Sequence, residues 1–193
     1  MNCTDTKNIY IVLTQTGTLL SRIIKFLTQG QYNHASIGFD EELNYMYSFG
    51  RKNAYNPFFG GMVKESVDTG TFKRFTETTA KIICLPIPSE LHSKMVEHVE
   101  MMYKNKKNYR YNYLGLYLAA VHIHWQRQHS YYCSQFVKDM LLAYGIEGAN
   151  KLKDIIHPTH FLSLPNTSVI YEGLLREYSV KTPFKTATAS PKR

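Results

Sequence analysis

The chain has 193 residues, the length of a single domain, and its hydrophobic residues, 44% of the total, suffice for a substantial core. No run reaches the ~18 apolar residues of a membrane-spanning helix. The opening MNCTDTKNIYIVLTQTG has no basic region followed by an apolar stretch and a small-residue cleavage site, so the expected location is the cytoplasm. Cys3, Cys84 and Cys133 are odd in number and widely spaced, which argues against a disulfide framework and a cysteine-rich zinc site.

Along the chain, NIYIVLTQ (8–15) is β-branched and apolar and reads as a strand. Gly17 breaks it, and Thr18 can cap a helix with Leu19, Leu20, Ile23, Ile24 and Leu27 on one stripe, ended by Gly30. HASIGFD (34–40) and NYMYSFGR (44–51) read as a hairpin turning at DEEL. KNAYNPFFGGMV (52–63) reads as loop because of its Asn-Pro and Gly-Gly. TAKIICLPI (79–87) is a further strand closed by Pro86 and Pro88. Ser89 then caps a helix through Lys104, with Leu91, Met95, Val99 and Met102 along one side and His92 and His98 on its polar side.

MMYKNKKNYRYNY (101–113) interleaves tyrosines with the densest basic patch of a chain whose net charge is +8. It reads as a helix end passing into a loop. A nucleic-acid module would need those aromatics on a sheet face beside the lysines, and nucleic acid is not an expected partner. YLGLYLAAVHIHW (113–125) is apolar on most sides and is a buried helix or strand. The clearest helix runs from Tyr132 to Tyr144, with Phe136, Val137, Met140, Leu141 and Tyr144 on one face and Gly145 as its stop. Residues 1–178 form one α+β domain, and KTPFKTATASPKR leads into a basic flexible tail at 179–193.

Cys133 stands in the first turn of that last helix, flanked by Ser130, Ser134 and Gln135. Unpaired N–H groups and the helix dipole there favour a thiolate and can hold an oxyanion. A cysteine nucleophile needs a base. Of the eight histidines, His34 opens a strand after the polar GQYN, and Ser36 and Gly38 on its face leave room for a substrate. His129 lies too near Cys133 in sequence, and His157 and His160 flank Pro158 in a loop. Cys84, inside KIICLPI, fits simple packing.

YNHASIGFDEELNYMYSFGR resembles the His-strand hairpin of the NlpC/P60 superfamily of papain-like cysteine hydrolases, and YYCSQFVKDML resembles its Cys-helix. Here the histidine precedes the cysteine by 99 positions, the order of the circularly permuted YiiX/YycO-like and lecithin retinol acyltransferase-like branch. IIHPTHFLSL is similar to a loop of the YycO-like group, and the resemblance covers roughly residues 8–165. It implies an antiparallel sheet packed on the Cys-bearing helix, Cys133 as nucleophile, His34 as base and no cofactor. It also implies a third, orienting residue on the neighbouring strand. If paired residues of the hairpin have numbers summing to 84, Ser48 lies across from Ser36 on the face of His34. A one-residue slip brings in Tyr47 instead.

Hydrolysis or transfer at an amide, peptide or acyl ester is the expected activity, with a small peptide, amide or lipid-like substrate. Two other readings compete with it. HIHWQRQH offers His122, His124 and His129 to a metal, but on a helix the first two diverge by about 200°. The same fold can also serve as a catalytically silent ligand-binding or nucleic-acid-binding domain.

Overall fold

A computed structural model describes residues 5–16, 31–53, 56–120, 123, 125 and 128–178. The helix expected after Thr18, Cys3, His122, His124 and the tail at 179–193 fall outside the described residues. What is described is an α+β fold around a six-stranded antiparallel sheet.

The strands are β1 (Thr6–Gln15), β2 (His34–Gly38), β3 (Met46–Asn53), β4 (Asn56–Glu65), β5 (Thr79–Pro88) and β8 (Ser168–Leu174), in the spatial order β4-β3-β2-β1-β5-β8. The apolar run 8–15 becomes an inner strand because both its faces are buried: Ile9 through Leu13 are all nearly inaccessible. The hairpin of β2 and β3 pairs Ile37 with Tyr47 and Gly38 with Met46, so the register sums to 84.

The segment 52–63, read as loop, contributes most of β4, which pairs with β3 from Asn53–Asn56 to Met46–Glu65. Its Asn-Pro stands at the start of an edge strand, where a missing N–H costs no ladder bond. Pro86 lies within β5 rather than closing it, and Pro88 is the strand's last residue. β8 pairs only with Thr79 to Cys84, so both prolines sit beyond its reach.

One face of the sheet carries Ile9, Ile11, Leu13, Ala35, Ile37, Tyr47 and Phe49. Two helices cover it: α2 (Ser89–Lys104) with Met95, Val99 and Met102, and α4 (Cys133–Ala143) with Phe136, Val137, Met140 and Leu141. The other face buries Tyr10, Val12, Met46 and Ile82 under Leu43, Leu175 and Phe72, the last from the short α1 (Gly70–Arg74).

Ser89 is the first residue of α2 rather than its cap; its hydroxyl donates to Asp5 Oδ2 at 2.9 Å and ties the helix to the start of β1. His92 is buried, not on a polar side, and its Nε2 pairs with the Phe39 carbonyl at 3.2 Å. His98 Nδ1 pairs with the Tyr144 hydroxyl at 3.1 Å.

The basic tyrosine-rich stretch ends α2 and passes through a 3₁₀ turn (Lys106–Asn108) into β6 (Arg110–Tyr111). β6 runs parallel to β7 (Ser130–Tyr131), which leads directly to Cys133. Tyr103, Tyr109 and Tyr111 pack against the core and not outward as a stacking platform. Between β6 and β7 lies α3 (Tyr113–Ala120), capped by Asn112, whose Oδ1 accepts the Gly115 N–H at 2.9 Å. It is a helix, but Leu114 and Tyr117 stand exposed on it, so it is not fully buried. His157 is the N-cap of a 3₁₀ helix (Pro158–Ser163) and accompanies His160 there.

α4 stops where Gly145 adopts φ +63, with no atom within 4 Å of the position its Cβ would take. The strain of Gly145→Ala is therefore conformational alone, about 1 kcal/mol. Urea unfolding of that variant is expected to show a lower midpoint with an unchanged slope; an unchanged midpoint would show that the chain reverses here without the left-handed residue.

Candidate functional site

α4 begins at Cys133 because Tyr132 has extended dihedrals and the Gln135 side chain reaches back to the Tyr132 N–H at 3.5 Å. The apolar face of the helix docks on β2 and β3, and this brings its first turn over the start of β2. Sγ of Cys133 lies 3.9 Å from the Asn33 carbonyl and 4.0 Å from the Ser134 hydroxyl. The thiol is buried, with 4% of the residue exposed.

His34 is the first residue of β2, so its ring stands at the strand's end and not in mid-sheet. There it lies within interaction range of the Cys133 thiol, and each group shifts the titration of the other. Its Nε2 is 3.1 Å from Oε2 of Glu65, the last residue of β4. With Nε2 engaged by the carboxylate, Nδ1 is the nitrogen left for the sulfur.

Oε2 of Glu65 also accepts the Ser36 hydroxyl at 2.8 Å and the Ser48 hydroxyl at 2.7 Å. Ser36 lies 3.3 Å from His34 Nε2. The carboxylate thus gathers one side chain from β3 and two from β2.

Sequence reasoning placed Cys133, His34 and Ser48 in one site, and the structure brings all three together. Ser48 lies on the anticipated face in the anticipated register, but its hydroxyl donates to Glu65 and not to the imidazole. The orienting group is Glu65, which sequence reasoning missed because its strand was taken for a loop. One signal was present: Glu65 is the only carboxylate between Glu42 and Asp68. Ser36 and Gly38 do not leave room for a substrate. Ser36 is fully buried against Glu65, and a Cβ on Gly38 would stand 3.1 Å from Leu43.

Electrostatics follow from this geometry. Burial alone would lower the His34 pKa; the Glu65 charge, with the hydrogen bonds of Cys133 and Glu65, overcomes it and raises the value to about 10. Burial would raise the Cys133 pKa, but the bond from His34, its positive charge and the N–H groups of Ala35 and Ser134 bring it below the ordinary thiol value. Burial likewise opposes ionisation of Glu65, and the charge and bond of His34, followed by the two serine hydroxyls, reverse it and lower the pKa. Between the lowered thiol value and about 10, the pair is a thiolate and an imidazolium beside a carboxylate.

The cleft at Cys133 is walled by Leu116 and Ala119 of α3, by Tyr32 and Asn33, and by Ile156, His157 and Pro158. The space between them is about 20 Å³, room for one water-sized body. His157 sits at this wall and not behind the imidazole. His129 is exposed and packs edge-on against Tyr109 with ring centroids 5.7 Å apart, away from the thiol. Among the described residues no group of three or more His, Cys, Asp or Glu is placed to hold a metal, and no helix is long and apolar enough to cross a membrane. No family model, curated protein or solved structure matches this chain.

Replacing Glu65 should uncouple the pair. In Glu65→Gln the imidazole falls back toward its ordinary 6.5 and the thiol climbs toward 9.0. Iodoacetamide alkylation of Cys133 at neutral pH is expected to slow by tenfold or more, on the order of 1.4 kcal/mol, and Ser48→Ala to slow it less. Superimposable pH profiles for wild type and Glu65→Gln would disconnect the carboxylate from the thiol.

The same charges act on stability. Glu65, with its folded pKa depressed, stabilises fully above its unfolded value of 4.5 and loses this as pH falls through the folded value. His34, with its pKa raised, stabilises fully below 6.5 and loses this as pH rises toward about 10. The stability advantage of wild type over Glu65→Gln, read by urea titration, should therefore be largest between pH 4.5 and 6.5.

Proposed function

We propose that this chain is a thiol hydrolase or acyltransferase acting on an amide, peptide or acyl ester, built on a permuted papain-like fold of the NlpC/P60 kind. The observation that carries the reading is the succession of sulfur, imidazole and nearly buried carboxylate, with the sulfur at a helix start. A packed cysteine needs neither a lowered pKa nor a histidine held by an ion pair at 3.1 Å.

The chemistry runs through Cys133 and His34. The Cys133 thiolate forms a bond to the carbonyl carbon, and the carbonyl oxygen takes up the negative charge. The Cys133 N–H, in the first helical turn where it has no intrahelical acceptor, donates to that oxygen. The intermediate then collapses: the C–N or C–O bond breaks, the His34 imidazolium gives its proton to the departing amine or alkoxide, and a thioester remains. Water, or an acceptor hydroxyl or amine, attacks the thioester while His34 takes its proton; the C–S bond breaks, the acyl group leaves as an acid, ester or amide, and the thiolate–imidazolium pair is regenerated. Glu65 holds the imidazole in orientation and stabilises its charged form throughout. The serines at 36 and 48 orient the carboxylate.

The substrate is a small peptide, an amide or a lipid-like ester that presents a carbonyl on an extended arm. The cleft admits only a slender group beside Leu116 and Ala119. α3 or the 156–158 loop must therefore move apart for anything larger.

Labelling with acyl and peptidyl electrophiles, wild type against Cys133→Ala, tests the reading. Labelling at neutral pH is expected at Cys133, lost in Cys133→Ala, and far slower at Cys84, whose thiol burial pushes up. Equal labelling of Cys133 and Cys84, with Cys133→Ser unfolding the protein, would show a packing cysteine in a binding domain instead.

A further inference from the structure

The surface around α3 departs from the rest of the molecule in a way the thiol chemistry does not require. α3 has no charged residue, yet Leu114 is 53% exposed and Tyr117 62% exposed. Ile123, whose N–H bonds to the Leu118 carbonyl at 2.8 Å, is 52% exposed, and Trp125 follows at 37%. At the start of the helix Tyr113, 38% exposed, lies against the Gly60 backbone of β4. The opposite side of α3 supplies Leu116 and Ala119 to the cleft of Cys133.

The sequence around α3 carries charge of one sign. No Asp or Glu occurs from Met101 to Lys138, and the segment that leads through β6 into α3 carries Lys104, Lys106, Lys107 and Arg110.

We propose that this face, formed by Tyr113, Leu114 and Tyr117 of α3 with Ile123 and Trp125 just beyond it, docks on an anionic lipid surface and sets the Cys133 cleft at the lipid boundary. Aliphatic side chains with a tyrosine and tryptophan fringe suit the headgroup level of a bilayer, and the cations of the segment leading into α3 suit its negative charge. A second copy of this chain is a poor occupant, because two molecules of net charge +8 repel. Nucleic acid gains nothing from Leu114 and Ile123, and the tyrosines inside the basic stretch face the core. Docking does not depend on Cys133 acting as a nucleophile, so it can be tested apart from the proposed activity.

The chain has a single tryptophan, Trp125, two residues beyond Ile123 and 37% exposed. Trp125 emission is therefore a direct report, measured in the Cys133→Ala protein. Vesicles of phosphatidylcholine with about one-third phosphatidylserine should shift the emission to the blue and carry the protein through flotation, with weaker binding as salt is raised. Phosphatidylcholine alone should bind much less. Leu114→Asp/Tyr117→Asp, at two exposed positions, should lower partitioning by tenfold or more with an unchanged circular dichroism spectrum. Arg176→Glu, beyond the opposite edge of the sheet, should leave it nearly unchanged. Absence of any shift or flotation at low salt overturns the proposal. So does binding that the Leu114/Tyr117 variant retains in full, or a retarded single-stranded RNA band lost in that variant without vesicle binding.

Discussion

A carboxylate that is 14% exposed, at the end of an edge strand, organises this molecule. A charge so nearly removed from water must be paired and hydrogen-bonded, or it protonates. Glu65 meets both conditions with the His34 ring and the hydroxyls of Ser36 and Ser48. Each partner comes from a different position along β2 or β3, so their convergence fixes where β4 stops relative to β2. The register of the hairpin is thereby tied to the solvation of this charge. A slip of one residue would turn Ser48 to the opposite face and leave the charge short of a donor.

The same sheet face changes character along its length. Towards β5 it buries Tyr10, Val12 and Ile82 under Leu43 and Leu175; at the other end it is lined by His34, Ser36, Ser48 and Gly50. Small residues occupy that end because the carboxylate and imidazole fill the space. The His34 Cε1 lies 3.4 Å from where a Gly50 Cβ would stand. Meanwhile Ala35 and Ile37 alternate to the other face, against Phe136 and Val137 of α4. The short strand β2 therefore serves two purposes: its odd-numbered residues seat the Cys-bearing helix and its even-numbered ones hold the charged pair.

Much of this was legible because it rests on local pattern. The strand 8–15, the hairpin, the helix 89–104 and the helix at Cys133 each show the period of their element, and α4 carries both its start and stop signals. The segment 52–63 was not legible, because Asn-Pro and Gly-Gly are ordinarily punctuation. Here the glycines are responses to neighbours. A Cβ on Gly60 would lie within 3 Å of Tyr111 and Tyr113, and one on Gly61 would run into Lys52. Glycine in a strand that something else approaches closely looks in sequence like glycine in a turn. Losing that strand hid Glu65, and without Glu65 the weaker acceptor Ser48 stood in for the group expected to hold the imidazole. His92 was misplaced for a related reason. Helical periodicity puts it beside the apolar stripe, and only the Phe39 carbonyl opposite shows why it is buried.

The position of Cys133 follows from these constraints taken together. The first turn of a helix favours a thiolate, whereas docking that helix requires its later turns on the sheet. α4 meets both demands by overshooting: Phe136 through Leu141 lie on the sheet, and residue 133 projects to where β2 begins. At that strand end the Asn33 carbonyl and Ala35 N–H flank the sulfur, and the histidine between them meets it. The carboxylate on β4 reaches the same imidazole from the far side. A thiol one turn further along α4 would lie over paired backbone, with neither a free helical N–H nor a strand end to admit the ring. Thiol and imidazole are thus joined by the packing of a helix terminus on a strand terminus, and the 99 intervening positions need only return the chain to that point.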